Sequence, residues 1–442
     1  MAFSNTHAAA EYVSQGAMGA RGIYSTKRKY SLSDKIVWQA RADAIFDNIL
    51  RQELQVITVD DPEPKLLTKQ EAPIKFNLHS DGTTSAGGKD EDTVRISDTL
   101  AVFLQTGDQL SCADVFCDSD GAAYSTDKYD TSSSLTLFPE QMIVKSVTLS
   151  GAASGIASVV VKRGNGYEPT SSVTTLLTEY KLVKMTTVIE DGGDAVDAIW
   201  HEPNAVQNYC QLFSKTWQET ETETNMNVYG KEDMTEKGRQ KRKELMREID
   251  GALLFGRKFK DIVNGQNRWF TGGIAEYVAN ASTALDGTSR FLNHNGAFDL
   301  DTFYENMEIA FRYGSAEKTA FCGGKFFTVL RQRLEKYITM NDGLSKKWGW
   351  NVYDIDVGPG TLHLVKHPLL REMDHTNKAW AYDMIGVDLA YVWLMVMKGM
   401  DIGVKTGVED NDEHTKKNEI YGQLGLRRAH PSAHFIVYGI TG

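Results

Sequence analysis

The chain has 442 residues, of which 41% are hydrophobic and 24% are charged, so it can bury the cores of two or three domains. Its formal net charge is −11, with 59 acidic against 48 basic residues. This balance excludes a protein that grips nucleic acid over its whole surface, because phosphate binding requires clustered cations. The four cysteines form no Cys-x-x-Cys pair, which argues against a zinc site and favours free thiols in a reducing compartment.

Targeting and membrane segments are not predicted. The N-terminal sequence lacks a basic region followed by an apolar run, so we expect no signal peptide. The longest apolar run, residues 389–397, is far shorter than the ~20 residues of a membrane helix and is typical of a strand buried on both faces. We therefore expect a soluble protein that is made inside the cell and has no membrane partner.

An arm and one helix are predicted at the start of the chain. Residues 1–60 begin with a Gly-, Ala- and Ser-rich stretch without periodicity, typical of an extended arm that is ordered only against a partner. Apolar residues then recur at helical spacing over residues 36–49, with Ser33 or Asp34 as the cap. This pattern predicts one amphipathic helix.

Strands dominate the next part of the chain. Residues 61–97 contain two strand-like runs, a polar tip and a return strand from Thr93, which predicts a long projecting hairpin. Residues 98–190 hold further apolar runs separated by turn residues, starting with residues 99–105. They predict a β-rich region.

A long helix is predicted in residues 191–298. It covers about 234–255, with Asp233 and Glu236 as a capping pair, and it follows a connector of alternating and aromatic residues. Residues 268–278 predict a turn and a strand.

The last part of the chain mixes helices and strands. Within residues 299–400, helices are predicted over 299–314 and 325–338, and a hairpin over 349–367. Residues 401–442 are strand-rich. Helices inserted among non-consecutive strands indicate an α+β fold.

Motifs that could bind ligands are incomplete. His363 and His367 lack the adjacent Glu of a zinc helix and lie in a strand-like pattern, so a structural pair on a sheet face is predicted. Two Gly-rich turns and two acidic runs lack the remaining residues of a dinucleotide loop, a P-loop or a calcium loop; they are residues 164–166, 322–325, 118–121 and 409–414. We predict no catalytic residue, no metal and no cofactor, and leave open a weak divalent-cation site in the acidic runs.

The predicted long helix has two different halves. Residues 237–243 include five Lys or Arg, whereas Leu245, Ile249 and Leu253 form an apolar stripe further on. Acidic residues are interspersed with the basic ones. This pattern favours a strut with one packed half, and an outer half facing solvent or a partner, over a helix that reads a DNA groove.

Several short motifs, taken in order, carry a family resemblance: "VVVKRGNG", "EPNAVQNYCQLFSKTWQET", "KELMREIDGALLFG", "RWFTGGI", "VYDIDVGPGTLHLVKHPLL" and "AHPSAHFIVYGI". They resemble the major capsid proteins of tailed double-stranded DNA phages, whose architecture is called the Hong Kong phage capsid fold. The matching residues in the second and third motifs are Asn208, Tyr209, Gln211, Phe213, Glu248, Asp250, Leu253, Leu254 and Gly256.

The resemblance implies an α+β phage major capsid fold. Its parts would be an N-terminal arm with an amphipathic helix (1–60), an extended hairpin loop (61–97), a β-rich region that exceeds the minimal fold and is interpreted as an inserted subdomain (98–190), a peripheral domain with a spine helix at about 234–255 (191–298), an axial domain (299–400) and C-terminal strands that return to the peripheral domain (401–442). Because no charged coiled coil precedes the arm, a fused scaffolding segment is expected to be absent or encoded elsewhere.

The resemblance also implies a structural function and no enzymatic one. The subunit would assemble, first as a procapsid, into hexamers and pentamers of an icosahedral shell around double-stranded DNA, which it contacts non-specifically. Portal proteins and scaffolding or decoration proteins would be further partners, and the protein would be assembled in the host cytoplasm and found in the virion. The predicted subunit-interface residues are Lys65, Phe76, Arg95, Lys237, Arg239, Lys241, Arg242 and Lys243.

Three alternatives of different classes stay open. An encapsulin-like shell of the same fold would enclose cargo enzymes instead of DNA. A nucleic-acid-binding protein would act through the basic residues 237–243. An enzyme could assemble its site from residues that are distant in the sequence.

Overall fold

The computed structural model describes residues 45–53, 55–69, 72–79, 92–117, 124–125, 138–150, 155–163, 180–189, 191, 203–226, 233–281, 289–334, 339–340, 352–372 and 380–441. The predicted arm and most of the amphipathic helix lie outside these residues, as do the polar tip at 80–91, the acidic run 118–121 and the Gly-rich turn 164–166.

Helices and strands are interspersed along the described chain. The helices are α1 (Phe46–Gln52), α2 (Asp98–Ala101), α3 (Glu221–Asn225), α4 (Met234–Phe255), α5 (Ile274–Asn280), α6 (Leu300–Ala310), α7 (Gly324–Leu334) and α8 (Pro368–Glu372), with 3₁₀ turns at Trp380–Tyr382, Leu389–Tyr391 and Pro431–Ala433. The strands are β1 (Val56–Val59), β2 (Lys65–Thr68), β3 (Lys75–Asn77), β4 (Asp92–Ser97), β5 (Asp108–Cys117), β6 (Tyr124–Ser125), β7 (Phe138–Thr148), β8 (Ile156–Lys162), β9 (Lys181–Thr187), β10 (Asn204–Gln207), β11 (Gln211–Thr220), β12 (Phe259–Val263), β13 (Gln266–Phe270), β14 (Phe291–Ala297), β15 (Glu317–Cys322), β16 (Thr339–Met340), β17 (Val352–Asp356), β18 (Thr361–Lys366), β19 (Met384–Val387), β20 (Val392–Met397), β21 (Gly403–Thr406), β22 (Thr415–Arg428) and β23 (Phe435–Thr441).

The long helix and the late hairpin agree with the sequence predictions. Helix α4 has the predicted bounds of 234–255. Strands β17 and β18 form the predicted hairpin, and Gly358 at its turn has a φ of +91°, which favours glycine. The buried run predicted at 389–397 is a 3₁₀ turn followed by strand β20.

Two predicted strands are wrong. Residues 99–105 are predicted to form a strand, but the first three of them belong to helix α2. The buried side chains Leu100, Ala101 and Leu104 are at helical spacing. The segment after residue 273 is helix α5, with Ile274, Tyr277 and Val278 buried on one face. Short apolar runs fit either structure, and here the i, i+3 and i+4 spacing of the buried side chains decides for helix.

The chain divides into two compact units, and the boundary between them falls within α4, β11 and β22. The smaller unit holds Ser214–Met246 and Ile402–Gly422 of the described chain, and the larger one holds Ala44–Phe213, Arg247–Asp401 and Gln423–Gly442. In the smaller unit, β21 pairs antiparallel with β22, and Gly238 of α4 lies against the ring of Trp217.

The main core of the larger unit belongs to a seven-stranded mixed sheet. Its strand order is β14-β23-β19-β15-β18-β17-β16, and helices α6 and α7 pack on it through a cluster that includes Phe303, Met307, Phe326 and Phe435. Strands β14 and β23 are therefore part of the sheet that holds most of the predicted axial domain (299–400). Their parallel pairing joins segments almost 150 residues apart, a contact that periodicity cannot reveal.

A second core in the larger unit lies inside a β-barrel. Six strands follow the order β3-β9-β5-β7-β8-β4. The first and last strands also meet, since Leu78 and Ile96 form an antiparallel bridge and the His79 N–H donates to the Arg95 carbonyl at 2.9 Å. The sheet thus closes on itself, which leaves few unpaired edges. Alternate residues of β4 and β8 point inward, as their burial patterns show.

The barrel unites two segments that the sequence prediction separates. Strands β3 and β4 come from the predicted extended loop (61–97), and the other four come from the β-rich region (98–190). The boundary at 97/98 therefore falls inside one sheet. Strand β2, by contrast, pairs with β10 in a separate two-stranded sheet. Because barrel closure depends on long-range pairing, the local hairpin pattern could not reveal it.

A buried ion cluster lies at one end of the barrel. The Arg163 guanidinium, 2% exposed, donates from Nε and Nη2 to both Glu140 carboxylate oxygens at 2.9 and 2.6 Å, and from Nη1 to Asp92 at 3.3 Å. Replacing one member of a buried ion cluster leaves the remaining charges without compensation, at a cost of about 3–5 kcal/mol.

We expect Arg163→Met to lower the free energy of unfolding by about 3–5 kcal/mol, because the buried Glu140 and Asp92 carboxylates would lose their guanidinium partner. Urea denaturation of the purified protein measures this loss. Lys162→Met changes the adjacent cation, which is only half-buried, and serves as the matched control with an expected change below about 1 kcal/mol. Equal losses for the two variants would contradict a structural role of the cluster.

Candidate functional site

The predicted interface residues of the larger unit differ in exposure. Lys65 on β2 is exposed and Arg95 on β4 is half-buried. Phe76 on β3 is fully buried in the barrel core. Its side chain therefore stabilises the barrel and does not present a surface to a neighbouring molecule.

The basic residues of α4 lie in the smaller unit and are mostly paired there. Lys237 Nζ lies 2.6 Å from Glu223, Arg239 Nη2 lies 2.7 Å from Glu236 and Lys241 Nζ lies 2.8 Å from Glu244. Such exposed pairs contribute ~0–1 kcal/mol each to stability. The acidic partners neutralise these Lys and Arg side chains locally, so this half of α4 does not offer a continuous row of free cations to phosphates.

Arg242 differs from these neighbours. It is exposed, and it forms no ion pair with another residue of the described chain. It is thus the cation in this part of α4 most available to a partner.

The other half of α4, in the larger unit, is anchored through Asp250. Its carboxylate accepts hydrogen bonds from the backbone N–H groups of Ile45, Phe46 and Asp47 at 3.3, 2.9 and 3.1 Å. These are N–H groups at the start of α1, which have no acceptor within their own helix. A carboxylate at this position also complements the helix dipole. Asp250 therefore caps α1 from a distant part of the chain.

His367 completes this junction, which we call the Asp250 junction (Asp250, His367 and the N–H groups of residues 45–47). The His367 Nε2 atom lies 2.6 Å from an Asp250 oxygen, and its Nδ1 accepts from the Leu369 N–H at 3.2 Å. With Nδ1 an acceptor, the proton is on Nε2, and the neutral ring donates it to Asp250. Both side chains are about 97% buried. The Asp250 carboxylate therefore connects α4 to the start of α1 and to the end of β18, and its hydrogen-bonding capacity is satisfied.

His363 has a similar structural role. Its Nδ1 lies 2.6 Å from Asp354, directly opposite on β17. Both histidines therefore have structural roles. His363 lies on the sheet as predicted, whereas His367 follows the last residue of β18 and contacts Asp250 of α4.

A second junction, the Asn208 junction, joins two of the resemblance motifs. The buried Asn208 amide donates to the carbonyls of Gly272 and Leu426 at 2.9 and 2.6 Å and accepts from the Gly272 N–H at 2.8 Å. Gln211 accepts from the Thr271 N–H at 3.2 Å. The Asn-Tyr-x-Gln-x-Phe motif thus recognises the backbone of the "FTGG" turn.

Close backbone approach explains the glycines of this turn. A Cβ on Gly273 would lie 2.6 Å from the carbonyl carbon of Leu254, at the end of α4. The Gly273 N–H donates to the Gly256 carbonyl at 2.7 Å, and the Gly273 carbonyl accepts from Arg428 Nη1 at 2.5 Å. The end of α4, the turn and the last part of β22 are therefore held together at glycines.

Sequence reasoning identified these motifs only as resemblances and did not predict that they contact one another. A signal for Asp250 was present, since it follows Met246 by four residues and precedes Leu253 by three, within the apolar stripe. A charged residue in such a stripe is rarely buried without a partner. Nothing in the local sequence identifies His367 or the start of α1 as that partner.

A third buried cluster contains Lys318, Asp388 and His434. Lys318 Nζ donates to the carbonyls of Ala310, Tyr313 and Ala433 at 2.9, 2.7 and 2.7 Å, and burial lowers its pKa to about 8. The Asp388 N–H donates to His434 Nδ1 at 3.2 Å. Burial, together with the nearby Lys318 charge, lowers the pKa of His434 to about 3.

This cluster makes a stability contribution that is lost in acid. His434 has an ordinary pKa near 6.5 when unfolded and about 3 when folded, so its contribution is complete above pH 6.5 and falls as the pH drops from 6.5 towards 3. When the pH is lowered from 7 to 4, the free energy of unfolding should fall by about 3 kcal/mol less in His434→Gln than in the wild type. Denaturation at both pH values measures the difference.

The variant must be compared with the wild type because other buried groups change the pH dependence of stability in the opposite direction. Burial raises the pKa of Asp47 to about 6 and that of Asp383 to about 7, so their destabilising effect is relieved as the pH falls. Both groups are unchanged in the His434→Gln variant. Parallel pH profiles for the two proteins would contradict the assignment of acid sensitivity to His434.

Among the described residues, no three His, Cys, Asp or Glu side chains are grouped closely enough to hold a metal ion. None of the described helices is long and apolar enough to cross a membrane.

Capsids and related shells are among the solved structures that match the chain, all at low similarity. The capsid of an empty GTA particle has 10% identity and a TM-score of 0.44, covering 96% of this chain and 98% of that chain. The mature capsid of bacteriophage PhiM1 has 9% identity and a TM-score of 0.37, covering 57% of this chain and 78% of that chain. The SrpI encapsulin of Synechococcus elongatus has 9% identity and a TM-score of 0.36, covering 55% and 78%.

The chain matches a sequence family more strongly than it matches these structures. No curated protein is significantly similar to the chain. The family model described as the SU10 major capsid protein matches residues 83–441, which include α4, the seven-stranded sheet and every barrel strand except β3. The match confirms the resemblance carried by the motifs and the phage major capsid fold that it implies. The chain therefore belongs to the SU10 major capsid protein family and is a structural subunit of a capsid shell, built from copies of itself, in the virion.

Proposed function

We propose that the protein assembles into hexamers and pentamers of an icosahedral shell that encloses double-stranded DNA. The observation that carries this proposal is the match to a major capsid protein family over residues 83–441. The net charge of −11 is consistent with a shell that encloses DNA without binding it tightly. The same proposal includes a purely structural, non-enzymatic role, assembly in the host cytoplasm, and portal and scaffolding or decoration proteins as partners.

The proposed domain assignment follows the sequence prediction with two changes. Residues 191–298, apart from strand β14, form the peripheral domain around α4. Residues 299–400 form the axial domain together with strands β14 and β23 of the same sheet. Residues 61–97 contact neighbouring subunits through the exposed part around Lys65, while β3 and β4 stay within the barrel. The arm and the outer half of α4 are the other proposed contacts.

The effect of an Arg242 substitution on particle assembly tests this proposal. Because Arg242 is exposed without a partner in the described chain, we propose that it faces acidic groups of a neighbouring subunit. Arg242→Glu would then reduce the yield of closed particles, measured by sedimentation, while Lys398→Glu, at a side chain 75% exposed, would not. Normal particle yields from Arg242→Glu would overturn this contact.

DNA affinity separates the shell from a nucleic-acid-binding protein. If the five basic residues of 237–243 each held a phosphate, changing all of them to Gln would reduce the slope of log affinity against log salt by about 4–5, at ~0.9 for each contact. The shell function predicts weak binding and a change of less than one. If the protein instead forms a cargo shell, the purified particles will contain enzymes and no DNA.

A further inference from the structure

A cavity of about 180 Å³ lies within the larger unit, beside the two-stranded sheet of β2 and β10. Its lining is apolar at Ile57, Val59 and Met395 and cationic at Lys65, Arg427 and Arg428. Engineered cavities of ~150 Å³ accept a benzene molecule, so the space is large enough for a side chain that enters from outside.

Two of the three cations at this cavity, Lys65 and Arg427, have no acidic partner within the described chain, whereas Arg428 lies 3.4 Å from Glu276. Arg427 Nε is buried without a hydrogen-bond acceptor. The only interaction recorded for its guanidinium among the described residues is with the ring of Trp393, whose centroid is 5.5 Å away. Lys65 is exposed and forms no ion pair with a described residue. A buried guanidinium nitrogen without an acceptor is costly, so the site is incomplete in the isolated subunit.

Nearby cations provide a contrast. Lys260 Nζ lies 2.8 Å from Glu63, and Lys398 Nζ lies 3.6 Å from Asp60. Carboxylates are thus available on the same segment of chain, and they pair with other cations. Among the described residues, Lys65 and Arg427 are therefore the cations at the cavity that lack an acidic partner.

We propose that the cavity receives an Asp or Glu side chain from a second copy of this chain. An oxygen of that carboxylate would accept from Arg427 and Lys65, and its methylene groups would contact the apolar lining. Charge complementarity supports this occupant, because each copy carries 59 acidic against 48 basic residues and so offers carboxylates in excess. The inference rests on the proposed assembly and assigns one of its contacts.

Zero-length carbodiimide cross-linking tests the contact directly, since it joins an amine to a carboxylate only when they are in contact. Particles are assembled from an equal mixture of isotopically light and heavy protein and analysed by mass spectrometry. The expected result is an amide between Lys65 and an Asp or Glu in mixed light–heavy pairs, lost in Lys65→Arg, which keeps the charge. Cross-links of Lys65 only within one copy, or none, would overturn the proposal.

Variants distinguish this inference from the proposed function. Arg427→Met and Lys65→Met are each expected to raise the protein concentration needed for particle formation about tenfold or more, whereas Lys398→Met leaves it unchanged. If the wild type forms no particles, the proposed function itself fails. If the wild type and both variants form particles equally well, the assembly proposal stands and the cavity contact is overturned.

Discussion

Replacing Asp250 by alanine is expected to lower the free energy of unfolding by about 3–5 kcal/mol. The change removes the acceptor of three backbone N–H groups at the start of α1 and of the His367 Nε2–H group. Each buried donor left without an acceptor costs ~1–3 kcal/mol, and partial relaxation of α1 offsets part of the sum. Urea denaturation of the purified protein measures the loss.

The matched control is Glu248→Ala, two residues earlier on the same helix. Glu248 is exposed, and alanine has a similar helix propensity to glutamate, so a change within about 0.5 kcal/mol is expected. A second variant, His367→Phe, removes one of the four donors to Asp250 and should cost less than Asp250→Ala. If Asp250→Ala and Glu248→Ala were equally stable, the Asp250 junction would not anchor α4.

Changing Asn208 to aspartate is expected to cost about 3 kcal/mol or more, although the two side chains have almost the same shape. The Asn208 amide nitrogen lies 2.9 Å from the Gly272 carbonyl and 2.6 Å from the Leu426 carbonyl. A carboxylate oxygen in its place would face two carbonyl oxygens and be buried as an unpaired charge. Thermal unfolding at neutral pH reports the loss as a lower melting temperature.

Asn204→Asp provides the control for this second prediction. Asn204 is exposed on β10, four residues earlier, and there the same change of one amide to a carboxylate should have little effect. A melting temperature of Asn208→Asp equal to that of Asn204→Asp would contradict the role of the Asn208 amide in holding the "FTGG" turn and β22 together.

The elements with strong local signals could be predicted from the sequence. Helix α4 has the predicted bounds because its apolar stripe and N-terminal acidic residues are continuous in sequence. The β17–β18 hairpin follows from alternating residues around a Gly-Pro-Gly turn. The motifs also led to the correct family, although none of them indicates on its own what its residues contact.

What could not be predicted depends on contacts between distant segments. The barrel closes through the Leu78–Ile96 bridge and through β3–β9 pairing over about 100 residues, so the local pattern suggested a free hairpin and placed Phe76 at an interface. Asp250 was recognised as a residue of the third resemblance motif, but its contacts could not be predicted because its donors come from residues 45–47 and 367. Nothing in the local sequence distinguishes Arg427, since its significance depends on a cavity and on the absence of an acidic partner among the described residues.

Electron microscopy of the purified wild-type protein tests the central claim most directly. A subunit of a capsid shell is expected to form closed particles of uniform diameter with icosahedral symmetry, in which each copy contributes the same surfaces to its neighbours. Reconstruction of those particles would also show which neighbour the outer half of α4 faces. A protein that stays a small globular species under all assembly conditions would contradict the account.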